Sequence, residues 1–282
     1  MLGLGLALSA SLGWGIADFL GGLQARRVAL LRVMVLSQGM ALGLLFVVVA
    51  LRGTGPPAFS RLWPAAAGGL AGIAGLTSFY RALSIGKMSI VAPIAATGVS
   101  IPVIVGIASG DHPAPIQLLG ILAACVGVVL VSRETEHAPK SPGARATRLS
   151  IGLALVAAIG FGSLAVGLRE AARADVLWAL AAARGFGVAA VVCVFLVRRP
   201  PPEREPVAYG VLLLMGILDL GGNGLYALAT RHGLLSIVAV AASQYPLVTG
   251  LLARAFLHER VRRIQELGIV AAVAGVALIA AG

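Results

Sequence analysis

The chain has 282 residues, of which 59% are hydrophobic and 12% charged, and its mean hydropathy is +0.97. Soluble domains run at about 45–50% apolar and about 25% charged, so a water-soluble globule, a disordered chain and a fibrous chain are excluded. The net charge of +11 lies in short clusters between apolar runs, as loop charges of membrane proteins do. No stretch can form the basic face of a soluble domain that a nucleic-acid binder needs, so no nucleic-acid partner is expected.

A spanning helix needs about 20 mostly apolar residues. Ten stretches qualify, at roughly 2–22, 31–51, 62–82, 88–110, 115–132, 150–169, 176–197, 207–230, 233–255 and 264–281. The first opens with MLGLGLALSA, which lacks a basic leader. No small-residue cleavage site follows, so it reads as a first span rather than a signal peptide. The third contains GGLAGIAG at 68–75, a surface of small residues for close helix packing. A dinucleotide fingerprint would need a strand–turn–helix unit and a later acidic residue, and neither is present. Barrel strands are about ten residues long and alternate polar with apolar; these runs are twice as long and apolar throughout. After the fifth run, residues 133–148 read RETEHAPKSPGARATR. This polar, Pro-containing segment is expected to be a linker, 133–149, between units at 1–132 and 150–282.

The two halves match. GLALSASLGWG (5–15) aligns with GLALVAAIGFG (152–162), and GKMSIV (86–91) with GLLSIV (233–238), both at an offset of 147. IQLLGILAACVGVVLV (116–131) aligns with IQELGIVAAVAGVALI (264–279) at an offset of 148. Five spans per repeat is an odd number, so the second repeat is expected upside down relative to the first. The expectation is an all-α membrane protein of ten transmembrane helices in two inverted five-helix repeats. In transporters of that kind the substrate binds near the midplane and the halves rock around it.

These features carry a resemblance. Gly-Trp-Gly at 13–15 lies in the first span. Each repeat closes on an acidic residue and a Gln-x-Leu-Gly sequence: Asp111 with Gln117–Gly120, and Glu259-Arg260 with Gln265–Gly268. Over essentially its whole length the chain resembles the EamA type of the drug/metabolite transporter superfamily. The resemblance implies a ten-helix basket, with helices 1–4 and 6–9 lining a central cavity and helices 5 and 10 packed outside. It also implies export or exchange of small amino-acid-like metabolites in the plasma (inner) membrane, by a monomer or homodimer. Other small solutes (nucleosides, sugars, lipophilic cations) remain open, as does a non-transport membrane role.

Orientation is left with two readings. If the N-terminus is cytoplasmic, Arg52, Arg61, Arg169, Arg173 and Arg231 are the five basic residues of the cytoplasmic loops. Sixteen of the 22 Lys and Arg then lie on the opposite face, and Arg184 lies within a span. The positive-inside rule therefore favours both termini outside, whereas the resemblance implies both inside.

Ionisable residues inside spans are functional candidates, because an unpaired charge there costs about 2.5–3.5 kcal/mol or more. Asp219 is near the middle of the eighth span. Asn223, Tyr226 and Thr230 follow on the same helical face, and the stripe is expected to face a cavity. Arg184 is at matching depth in the seventh span. The short connection makes the two spans antiparallel, so an Arg184–Asp219 pair is expected to be possible. Such an arginine favours the charged carboxylate and makes it a poorer proton carrier; Arg184 is alternatively a site for a substrate carboxylate. Asp18 shares a face of the first span with Ser11 and Trp14 and reads as a headgroup-facing cap, a cavity-mouth residue or a proton-coupling site.

Trp14 and Phe161 occupy equivalent positions at the offset of 147. By the same symmetry Phe79 and Tyr80 are placed near Tyr226, and Tyr245 lies in the ninth span. Each is a candidate for substrate contact or for packing. Pro93, Pro102 and Pro246 remove backbone donors within the fourth and ninth spans and are hinge candidates. Thr97, Ser243 and Gln244 are polar groups expected to line the same space.

No catalytic constellation is present. The histidines lie at or near loops, and Cys125 and Cys193 lie in apolar runs without metal or disulfide spacing. There is no Walker sequence. The expectation is a transporter rather than an enzyme, without cofactor or metal, whose partners are membrane lipid, a small-molecule substrate and, as a possible coupling ion, the proton.

Overall fold

A computed structural model describes residues 1–24, 28–85, 94–131, 144–200, 207–257 and 263–281. Apart from short connections and caps, all of these residues are helical, and no strand occurs among them. Apolar runs of this length have no water to satisfy their backbone in a bilayer, and a helix closes its hydrogen bonds internally.

In chain order the helices are α1 (Leu2–Gln24), α2 (Leu30–Arg52), α3 (Phe59–Ile85), α4 (Ser100–Ala108), α5 (Pro115–Val131), α6 (Ala144–Ala172), α7 (Val176–Arg198), α8 (Tyr209–Ala229), α9 (Leu235–Ala242), α10 (Tyr245–Leu257) and α11 (Arg263–Ala281). Six are long and apolar enough to cross a membrane: α1, α2, α3, α6, α7 and α8. The remaining apolar helices are shorter.

Two expectations change here. The ninth apolar run is two helices, α9 and α10, separated by a turn at Ser243–Gln244. Hydropathy is continuous across that point, but Pro246 has no N–H to donate to the Ala242 carbonyl. Pro246 is therefore the second residue of α10 rather than an interior kink. Secondly, α6 begins at Ala144, so the last residues of the expected linker are helical. The fourth run is described from Ile94 onward and contains a 3₁₀ turn, Thr97–Val99, before α4. Pro102 is in the first turn of α4 and is buried. Pro93 lies outside the described residues.

Helix ends have local causes. α2 stops at Gly53, whose φ of +68° is open to glycine without a Cβ penalty, and whose N–H bonds Ala50 O. α7 starts at Asp175, whose Oδ1 accepts from Trp178 N at 3.0 Å. The same carboxylate pairs with Arg52 at the end of α2, 2.7 Å away. Asp111, in the connection after α4, is buried. Its Oδ2 accepts from Ser236 N (2.8 Å) and Ser236 Oγ (2.9 Å) and so caps α9 from a distant part of the chain.

Small residues bring the helices close. α3 packs on α6 and α7, α1 on α8, α5 on α11, and α2 on α7 and α8. Gly75 of α3 faces Gly160 of α6, Gly13 of α1 faces Gly222 of α8, and Gly120 of α5 faces Gly275 of α11. Alanines fill the interior, while Leu44, Phe46, Val47, Ile104, Leu122 and Val270 point outward. Apolar exterior and small-residue interior is the arrangement expected when lipid is the solvent.

Candidate functional site

The apolar segments enclose a cavity that offers roughly 180 Å³ to the centres of water-sized molecules. Its wall draws on α1, α2, α3, α4, α6, α7, α8, α9 and α10. Most of that wall is aliphatic or glycine. The polar groups converge on one side.

Asp219 is the hub. Arg184 Nη1 donates to its Oδ2 at 2.7 Å, and Gln38 Nε2 donates to the same oxygen at 3.2 Å. Asn223 Nδ2 bonds the Asp219 carbonyl at 2.9 Å and reaches Oδ1 at 3.4 Å. The i, i+4 spacing on α8 places Asn223 one turn from Asp219, as the sequence stripe required. The Arg184 side chain is 9% exposed and that of Asp219 27%. A guanidinium and a carboxylate thus neutralise one another at mid-helix depth, where either alone would be costly.

Asp18 lines the same cavity. Its charge is within electrostatic reach of Asp219, Tyr80 and Tyr245. Among the described residues, however, no donor hydrogen-bonds or ion-pairs with it.

Aromatic rings form a further part of the wall. Trp14 meets Tyr226 at a centroid distance of 5.9 Å and Tyr245 edge-on at 6.2 Å. Phe79 meets Phe161 at 5.9 Å. Tyr226 is 1% exposed, and its hydroxyl has no hydrogen-bond partner among the described residues.

Eleven of the residues singled out from sequence line this cavity: Trp14, Asp18, Phe79, Pro102, Phe161, Arg184, Asp219, Asn223, Tyr226, Ser243 and Tyr245. Four do not. Tyr80 packs on Phe79 behind the wall. Thr97 is exposed and bonds Ile94 O, since a hydroxyl in a 3₁₀ turn is satisfied locally. Gln244 is buried, with Nε2 on Val240 O. Pro246 starts α10 away from the lining. Thr230 falls just past the end of α8 and bonds Ala227 O. Sequence reasoning missed Gln38. Its only signal was an amide in the middle of an otherwise apolar helix.

The comparisons bear on this geometry. The EamA-like transporter family matches residues 1–133 and 148–281. The chain belongs to that family. EamA-like proteins are transporters rather than enzymes, within the drug/metabolite transporter superfamily, so this chain is a multi-pass membrane transporter of a small molecule. A solved structure described only as a crystal structure of a protein is similar at 16% identity, with a TM-score of 0.78. The match covers 98% of this chain and 95% of the other, and at that identity the likeness concerns the EamA-like fold alone. No curated protein matches the chain.

Proposed function

We propose that this chain is a secondary transporter of small, amine-bearing, amino-acid-like metabolites. It works by alternating access in the export or exchange direction across the plasma (inner) membrane. The observation that carries the reading is the cavity itself: helices from both halves of the chain surround a charged cluster at mid-helix depth.

The inverted-repeat reading, 1–132 against 150–282, has support from packing. At the offset of 147, α1 corresponds to α6 and α8 to α3. The contact of α1 with α8 and that of α6 with α3 are then one contact made twice. Trp14 and Phe161 correspond, as do Tyr226 and Phe79; Trp14 is in ring contact with Tyr226, and Phe161 with Phe79. The irregular Thr97–Val99 and Ser243–Gln244 segments overlap at the equivalent positions Thr97 and Gln244. Two similar halves around one cavity suit a rocking mechanism.

Exchange of labelled amino acids, their decarboxylated amines and nucleosides in proteoliposomes, with and without a pH gradient, tests the reading. Gradient-driven uptake of an amino acid or of its decarboxylated amine is the result expected for a coupled transporter. Gradient-independent exchange makes the protein a facilitator, with Arg184–Asp219 as structure. Failure to move any solute removes the reading.

A further inference from the structure

We propose that the cavity selects solutes bearing one positive charge on an apolar body, organic ammonium ions rather than zwitterions. Asp18 acts as the counter-ion beside the rings of Trp14 and Tyr245. This rests on the transporter reading above, because it names the substrate class of the same cavity.

Charge is the first argument. Among the described residues, the strongly ionisable groups of the wall are Asp18, Asp219 and Arg184; the other titratable ones are the phenols Tyr226 and Tyr245. With both carboxylates ionised, two of them against one guanidinium leave the site one negative charge in excess. Asp219 is already answered by Arg184 and Gln38. The excess therefore resides on Asp18, which has no hydrogen-bond or ion-pair partner among the described residues. A carboxylate inside the bilayer is costly without a counter-charge, and a cationic solute supplies one.

Arg184 is the second argument. A zwitterion needs a cationic group for its carboxylate. The one guanidinium in the wall is 9% exposed and held by Asp219 at 2.7 Å. Taking it for a substrate would strand Asp219, and breaking a buried pair from one side is strongly unfavourable.

The rings are the third. Asp18 follows Trp14 by four residues on α1, about 6 Å along the axis. Tyr245 stands edge-on to Trp14 at an interplanar angle of 87°, so the two rings make a corner beside the carboxylate. Aromatic faces attract cations, ammonium groups included. The aliphatic and glycine part of the wall accepts the apolar body.

The test is a matched series of phenethylamine, phenylalanine and 3-phenylpropionate. Binding to the purified full-length protein is measured by calorimetry, and exchange is followed in proteoliposomes. Phenethylamine is expected to bind at least tenfold more tightly than the other two. Asp18→Asn should weaken it at least tenfold, and Asp18→Glu should restore most of the affinity. Equal or tighter binding of phenylalanine overturns the proposal, and so does no binding by any of the three. These two results stand on the wild-type protein and do not depend on a variant folding. Unchanged amine affinity in a monodisperse Asp18→Asn protein also overturns it. The transport arm separates the two readings. Phenylalanine exchange without amine binding removes the substrate class and leaves the transporter; amine binding without exchange of any solute does the reverse.

Discussion

Arg184 on α7 and Asp219 on α8 are joined by a 2.7 Å hydrogen-bonded ion pair in the wall of the central cavity. Removing one member leaves the other charged without its main partner, which costs roughly 3 kcal/mol for a buried pair. Arg184→Gln and Asp219→Asn should each lower the detergent melting temperature substantially. The double variant should be less destabilised than the sum of the singles. A strictly additive double-mutant cycle, read by thermal unfolding, would falsify the coupling.

Gln38 supplies the second donor to Asp219 Oδ2, at 3.2 Å. Gln38→Leu should cost about 1.5 kcal/mol, the low end for a hydrogen bond to a charged group. Gln38→Glu should cost more, because it sets a second negative charge against the carboxylate. Thermal stability of the two variants ranks them; the reverse order would mean that Gln38 does not face Asp219.

Gly69 on α3 lies so close to α7 that a methyl group there would meet the Ala183 carbonyl. Gly69→Ala should destabilise by about 1–3 kcal/mol through overpacking. Gly43 on α2 has nothing within 4 Å of its Cβ position. Gly43→Ala should be neutral or stabilising by up to about 1 kcal/mol through helix propensity. Equal melting temperatures for the two would contradict the close α3–α7 approach.

Asp111 holds the start of α9 through two hydrogen bonds to Ser236. Asp111→Ala should cost about 1–2 kcal/mol. Ser236→Ala keeps the backbone bond and should cost less. Hydrogen exchange at the first turn of α9 checks both; unchanged protection in Asp111→Ala would show that α9 does not depend on this cap.

The charge count places sixteen basic residues on the face opposite the termini, and by the positive-inside rule that face is cytoplasmic. A C-terminal alkaline phosphatase fusion should then be active and a fluorescent-protein fusion dark. The opposite pair of signals would show that the family habit outweighs the loop charges.

Several parts of this protein were legible before any coordinates. The Arg184–Asp219 pair was, because a short connection forces two neighbouring helices antiparallel and leaves mid-helix residues at equal depth. Ring residues at equivalent positions were too, since a repeat transfers geometry from one half to the other. Gln38 was not: it is uncharged, and its partner is 181 residues away in sequence. Thr97 and Gln244 looked like wall residues, yet each spends its donor on the backbone three or four residues back.

Hydropathy alone determined that the chain is helical and membrane-embedded, because in lipid the backbone has no other way to close its hydrogen bonds over such lengths. Internal similarity gave the correspondence between the halves. Tertiary structure decided where the ninth run breaks, which face of each helix turns inward, and how the charges divide. At the offset of 147 the mates of Asp18, Arg184 and Asp219 are Ala165, Ser37 and Gly72, so similar halves carry an asymmetric charge set. Spacing along one chain cannot say which carboxylate receives the single guanidinium and which is left facing the cavity. That depends on where α1, α2, α7 and α8 meet in space.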